Sequence, residues 1–501
     1  MKRNKRPRVL AIGMDAAEPS LVRRLIEEDQ LPSLKHLLER GAWMPVESPA
    51  EIGSGAVWPT FVTGIDAREH GIYGEWCWQP ETMNLARFSG RSLKPFWETF
   101  LGKDISVGIF DVPFAPALDL VSGFQVSEWG AHDTIEGRME ISPASLSSLI
   151  EKTKPHPFRL SQIDASGPDD VEGLRRVFAA CLEGVRLRGE LATHLILQTQ
   201  PELSVITFTE IHRASHQLWH TVAPCHPFYA HNGSAKPNNI NFDLRNIYRE
   251  VDTQIGKLSE VAGEDACIFV FALHGMRPTI GIPTFLDQLL VETGWAHLPD
   301  WAAQSWRERA LSSFSALKQR SPASLKKLYY KTMPRKATYH LAQPTMMPAY
   351  DWSRTRAFSL PTDQHGWIRL NLCGREAKGV VQPGQYEEAC RQLERMLLNL
   401  RTDEGRPLVS DVMMTSESYE AALKQRLPDL IVHYADAAFA PSLKISGMPF
   451  VSRPIGKKNT GQHSTGGFLL ASGRPDLLSQ GDRICASDLC QLLIASLSSS
   501  M

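Results

Sequence analysis

The sequence predicts an α/β fold, a doubly wound and mostly parallel sheet flanked by helices, with inserted cap elements. Three observations predict it. Short apolar runs of strand length (Val9 to Met14, Ile105 to Phe110, Leu203 to Phe208, Cys267 to Ala272) alternate with stretches of helical spacing. Polar residues of catalytic type follow three of those runs: Asp15, then His212 with His216, then His274. Those positions are the carboxyl ends of strands, where open α/β sheets place ligands. The 501 residues are enough for a large α/β domain with insertions or for two or three domains. We read a single domain over 7–501, with inserted elements at 130–200 and 280–345.

The first run, Val9 to Met14, reads as a buried strand with Asp15 at its end. The plainer role for Asp15 is a helix or turn cap. Helical spacing follows over Pro19 to Glu28, where Pro19 is tolerated in the first turn, and again over Leu34 to Arg40, which stops at Gly41. Ser54 then stands between Gly53 and Gly55, just before a predicted helix. A hydroxyl there meets unpaired backbone N–H groups, which suit an attacking oxygen or a bound phosphate; an ordinary N-cap is the alternative.

Ile105 to Phe110 is the next strand, and helical spacing occupies Val171 to Leu197. Leu203 to Phe208 leads into Glu210-Ile211-His212-Arg213-Ala214-Ser215-His216. On a helix, His212 and His216 stand one turn apart on one face, where both imidazoles reach a single metal ion. Cys267 to Ala272 delivers Leu273-His274-Gly275. His463 lies in a loop just before the strand and turn Gly467 to Gly473.

Composition narrows the partners. Lysine plus arginine total 54 and aspartate plus glutamate 55, a net charge of -1, which excludes a dominant nucleic-acid footprint. The basic start, Met1 to Arg8, meets an apolar run that ends at Asp15, too short for a signal or membrane segment, and no later stretch is apolar enough to span a bilayer. The eight cysteines are scattered with no CxxC pair, so a reduced, cytoplasmic setting and a small-molecule substrate are expected.

Taken together, the chain resembles the type I phosphodiesterase/nucleotide pyrophosphatase family of the alkaline phosphatase superfamily. The resemblance is carried, in order, by Ala11 to Asp15, Ser54 to Gly71, residues 207–220, Phe271 to Met276, Gly374-Arg375-Glu376, Pro428-Asp429-Leu430 and His463 to Gly473. It implies an alkaline-phosphatase-like fold and two metal ions, often zinc. By position, His212, His216 and His463 would form one metal site. Asp15, Ser54 and His274 would form the other.

Three departures follow. His212 stands where the family has an aspartate, Leu273 where it has the aspartate of an Asp-His pair, and Val57 where it often has an asparagine. Three histidines still suit zinc with one open position. The second site, short of a carboxylate, is expected to be weak, so one zinc is expected. The resemblance implies a metal-dependent hydrolase or transferase acting on a phosphoester, most simply a phosphodiester, through Ser54. Asp15 and His274 would position or activate the nucleophile. Two alternatives stay open: a zinc-assisted serine acyl or ester hydrolase or transferase, and a non-catalytic binding scaffold. Glu210 and Asp133 are candidate substitutes for the missing carboxylates. His220 is left outside the metal shell, and His70 and His365 are read as structural.

Overall fold

The computed structural model describes residues 9–88, 90–119, 122–132, 137–160, 163–229, 242–300, 346–361, 364–453, 456, 458–473 and 482–498. Asp133, and residues 301–345 of the element expected at 280–345, lie outside the described residues. The chain forms two compact units: residues 1–73, 89–281 and 456–501, and residues 74–88 and 282–455.

The first unit is built on a nine-stranded sheet. Its strand order is Ile484–Cys485, Gly41–Glu47, Gly466–Ser472, Cys267–Ala272, Val9–Met14, Leu203–Phe208, Val107–Phe110, Gly123–Ser127 and Glu140–Ser142. The five strands from Cys267–Ala272 to Gly123–Ser127 run parallel to one another. Every residue of Val9–Met14, Leu203–Phe208 and Cys267–Ala272 is buried, as parallel strands covered on both faces require. Their register is level: Val9 lies opposite Leu203 and Cys267, Met14 opposite Phe208, and Gly13 opposite Phe271. The three strands therefore end at the same height. The chain leaves them at Asp15, Thr209 and Leu273 on one rim of the sheet.

The segment at 130–200 supplies the edge strand Glu140–Ser142 and the 29-residue helix Val171–Thr199. Asp170 caps that helix by accepting from the Gly173 N–H at 2.9 Å. Leu174, Val177, Cys181, Val185 and Leu191 of the helix are buried in the unit's main core.

One residue of this helix is buried and charged. Arg188 is 0% exposed. Its Nη1 donates to Asp111 Oδ2 at 2.7 Å, its Nε to Glu210 Oε1 at 2.9 Å, and its Nη2 to Thr209 Oγ1 at 3.2 Å. His156 Nδ1 accepts from the Phe158 N–H, which leaves Nε2–H to donate to Glu210 Oε1 at 2.9 Å. The Asp111 carboxylate also accepts from the N–H groups of Trp129 and Gly130, at 2.8 and 2.7 Å. Buried charges are tolerated only when paired and hydrogen-bonded, and these are. Gly130 has no substitute here, because a Cβ would lie 2.6 Å from His156 Cδ2 and 3.0 Å from Arg188 Nη2. The network ties the first turn of helix Glu210–Leu218 to the loop after strand Gly123–Ser127. Burial alone would raise the Glu210 pKa, but the Arg188 charge and the His156 bond hold it at about 2.

The second unit contains a four-stranded antiparallel sheet in the order Ala357–Leu360, Gly366–Leu370, Leu430–Tyr434, Val409–Met414. Arg375, Glu376 and Asp429, part of the family resemblance, form a buried ion network here. Arg375 donates to Asp429 Oδ1 at 2.9 Å and Oδ2 at 2.6 Å, and Arg369 Nε donates to Glu376 Oε1 at 2.7 Å. Asp429 also accepts from the Leu370 N–H at 2.7 Å.

Two outcomes are expected. Asp429→Ala leaves Arg375 buried with only Glu376 as an acidic partner and should lower stability by about 3 kcal/mol in urea titration; a cost below about 1 kcal/mol would contradict the network's role. The Glu210 carboxylate, depressed in the folded state, contributes stability that is fully present above its ordinary 4.5 and is lost as the pH falls through about 2. Urea midpoints of the native protein and Glu210→Gln should therefore converge as the pH is lowered from 7 toward 2. Parallel curves would show that Glu210 is not the titrating group.

Candidate metal centre

Helix Glu210–Leu218 starts directly after the central strand Leu203–Phe208 and presents His212 and His216 on one face. Asp15 leaves the neighbouring strand at the same rim. Asp15 and His212 are almost fully buried, 1% and 3% exposed. Asp15 Oδ2 lies 2.8 Å from His212 Nδ1, and Asp15 Oδ1 accepts from Trp58 Nε1 at 2.9 Å. A carboxylate only accepts, so His212 carries its proton on Nδ1 and its Nε2 is a lone pair.

His216 is set the same way. Its Nδ1 lies 3.0 Å from the Gly461 carbonyl oxygen, which also only accepts. Gly461 is required for that approach: a Cβ would lie 2.3 Å from the Ser215 carbonyl oxygen and 2.8 Å from Trp219 Cβ. The Thr460 N–H donates to the His216 carbonyl at 2.7 Å and pins the same loop to the helix. Both Nδ1 protons are thus committed, and the two Nε2 lone pairs face each other 3.1 Å apart. His463 Nε2 lies 2.7 Å from His212 Nε2. A proton on His463 Nε2 would make that contact a hydrogen bond, and a cation or a proton shared between the Nε2 atoms of His212 and His216 would make theirs favourable.

His463 reaches the cluster through strand pairing. Gly461–Ser464 pairs antiparallel with Gly275–Pro278, placing His463 opposite Met276, two residues beyond His274. Glu18 clasps this ladder, its Oε2 accepting from the Met276 N–H at 3.1 Å and from Ser464 Oγ at 2.9 Å. The His274 ring lies 5.0 Å from that of His463 and 5.7 Å from that of His212. Burial, and then the neighbouring imidazoles, hold His212 well below the ordinary histidine range, so it stays neutral and able to ligate.

The ligand atoms of His212, His274 and His463 lie within 4.8 Å of one another, and so do those of His132, His212 and His216. The structure thus brings together His212, His216, His463 and His274, with Asp15 bonded to His212. His132 was not singled out from the sequence. The same rule, a polar residue beyond the carboxyl end of a parallel strand, would have found it had Gly123–Ser127 been read as a strand.

The donors fit a metal ion. Two imidazoles on one tetrahedral zinc, each at about 2.0–2.1 Å, have nitrogens roughly 3.3 Å apart, near the 3.1 Å between His212 and His216, while His463 at 2.7 Å from His212 would have to draw back to ligate beside it.

The remaining candidates are positioned as follows. Ser54 is half-buried and opens a 3-10 turn, Ser54–Ala56, that runs into helix Val57–Thr63, the helix carrying Trp58 to Asp15. Leu273 is buried and offers no donor. Glu210 is committed to Arg188 and His156 rather than to the cluster. His220 is held by Thr460 Oγ1 at 3.1 Å. His70 Nδ1 accepts from the Ile72 N–H, so its Nε2–H donates to Thr60 Oγ1 at 3.0 Å; burial lowers its pKa to about 4, the behaviour of a structural residue. His365 packs on His433 in the second unit, ring centroids 4.5 Å apart. Among the described residues, no helix is long and apolar enough to cross a membrane.

No curated protein matches the chain. Phosphonoacetate hydrolase from Sinorhizobium meliloti 1021, solved with phosphonoacetate, is 16% identical over 99% of this chain and 96% of its own, with a TM-score of 0.53, and shares the fold. Human ectonucleotide pyrophosphatase/phosphodiesterase 5 is 12% identical over 98% of this chain and 95% of its own, with a TM-score of 0.46. The family model described as type I phosphodiesterase / nucleotide pyrophosphatase matches residues 9–464. The chain therefore belongs to the type I phosphodiesterase/nucleotide pyrophosphatase family, hydrolases of the alkaline phosphatase superfamily.

Proposed function

We propose that the protein is a one-zinc phosphodiesterase that cleaves a small phosphodiester through Ser54. One observation carries the metal reading: the His212 and His216 lone pairs converge at 3.1 Å with both Nδ1 protons already committed. His212, His216 and His463 would hold the ion. When bound, zinc would supply positive charge to a phosphoryl oxygen.

The protein's own groups do the rest. Ser54 attacks phosphorus as its proton passes to His274. The P–O bond to the leaving alkoxide breaks, and that oxygen takes the proton from His274. Water then attacks the phosphoseryl ester, giving its proton to His274, and Ser54 departs and regains it. Asp15 acts through His212, keeping the proton on Nδ1 and raising the basicity of Nε2, as carboxylate partners of metal-bound histidines do. Trp58 fixes the other Asp15 oxygen and so links the helix that follows Ser54 to the cluster. A second metal site at Asp15, Ser54 and His274 stays weak, because Leu273 gives no ligand and the described bonds of Asp15 go to Trp58 and His212. All eight cysteines are free, in keeping with a cytoplasmic setting.

Metal analysis and a chromogenic phosphodiester assay test this together. The native protein should hold about one zinc per chain. Ser54→Ala should keep the zinc and lose activity by on the order of 10³-fold or more. His216→Ala should lose both. Full phosphodiesterase activity in Ser54→Ala would overturn the nucleophile, and activity against a carboxyl ester alone would overturn the substrate class.

A further inference from the structure

We propose that His132 is a fourth imidazole ligand of the same centre, supplied by the loop after strand Gly123–Ser127. This rests on the metal reading above. The His132 ring lies 4.3 Å from that of His212 and 5.7 Å from that of His216, and its ligand atom falls within 4.8 Å of theirs. It arrives from a part of the fold unrelated to helix Glu210–Leu218 or to the Gly461–Ser464 strand.

The three residues before His132 are held by hydrogen bonds. The Trp129 and Gly130 N–H groups both donate to Asp111. The Gly130 carbonyl accepts from Thr209 Oγ1 at 3.2 Å, and the Ala131 carbonyl from Arg213 Nη2 at 3.5 Å. Asp111 is itself fixed by Arg188, which also grips Glu210 at the start of the histidine helix. One buried cation thus sets the loop bearing His132 and the helix bearing His212 and His216 in a single frame. A frame of that kind holds side chains to the narrow tolerance that ligation needs.

The ligand type has a consequence. Imidazoles are neutral, so four of them leave the full double positive charge of the ion uncompensated. His212 replaces an acidic ligand of the family, which moves the balance the same way. Such a centre favours an anionic ligand such as the singly charged phosphate of a diester, which would enter as a fifth ligand because four imidazoles fill the tetrahedral shell.

Co2+ titration of the metal-free protein, read by visible absorption and by competition with a chromophoric chelator, tests the assignment. His132→Ala should weaken Co2+ binding by about 10–100-fold and change the absorption bands. The unfolding temperature of the metal-free variant should stay that of the native protein, which a purely structural role would lower. His132→Gln, which keeps a polar group on the loop, should show the same weakened binding if the imidazole is the ligand. Native affinity and spectrum in both His132 variants, with binding lost in His216→Ala, would overturn the fourth ligand and leave the three-histidine centre standing. Native Co2+ binding in His216→Ala as well would overturn the centre itself.

Discussion

Two imidazole lone pairs, on His212 and His216, point at each other across 3.1 Å, and the rest of the first unit is arranged to hold them there. Either ring could escape by moving its proton to Nε2. Asp15 and the Gly461 carbonyl prevent that, since each accepts only from Nδ1. Two such lone pairs become favourable neighbours around a cation. The persistence of the contact depends on the level register of three parallel strands, on a glycine at 461, and on a buried arginine behind the helix.

The replaced residues change the electrostatics more than the architecture. An aspartate at 212 would ligate directly and leave Asp15 to other work. The histidine at 212 instead takes Asp15 as its hydrogen-bond partner, so in the proposed centre the carboxylate would stand one residue away from the ion. Leu273 removes a further acid at the rim. The family's fold persists around a rim with fewer carboxylates and a cluster of imidazoles. The buried Asp111, Arg188 and Glu210 network keeps its charges paired among themselves, so Glu210 is unavailable as a substitute ligand.

The central strands were legible because strands buried on both faces are apolar from end to end, and Val9–Met14, Leu203–Phe208 and Cys267–Ala272 are. Asp15, His212, His216 and His274 were legible because they follow those strands. Gly123–Ser127 was not, since Gln125 and Ser127 interrupt its apolar character; their polar atoms satisfy each other and the Pro116 carbonyl inside the fold. With the strand missed, His132 was missed. The bond from Asp15 to His212 was also beyond the sequence, because a chain shows which groups share a rim but not which of them touch. The helix Val171–Thr199 is legible from its spacing, but it also buries Arg188, a residue that composition alone assigns to a surface.

The central claim is a metal held by histidines at one rim of the sheet, and X-ray absorption of the zinc-loaded protein tests it most directly. The account predicts a first shell of light atoms at about 2.0–2.1 Å with the outer-shell scattering of several imidazole rings. Zinc that washes out of the protein, or a sulfur shell at about 2.3 Å, would contradict it.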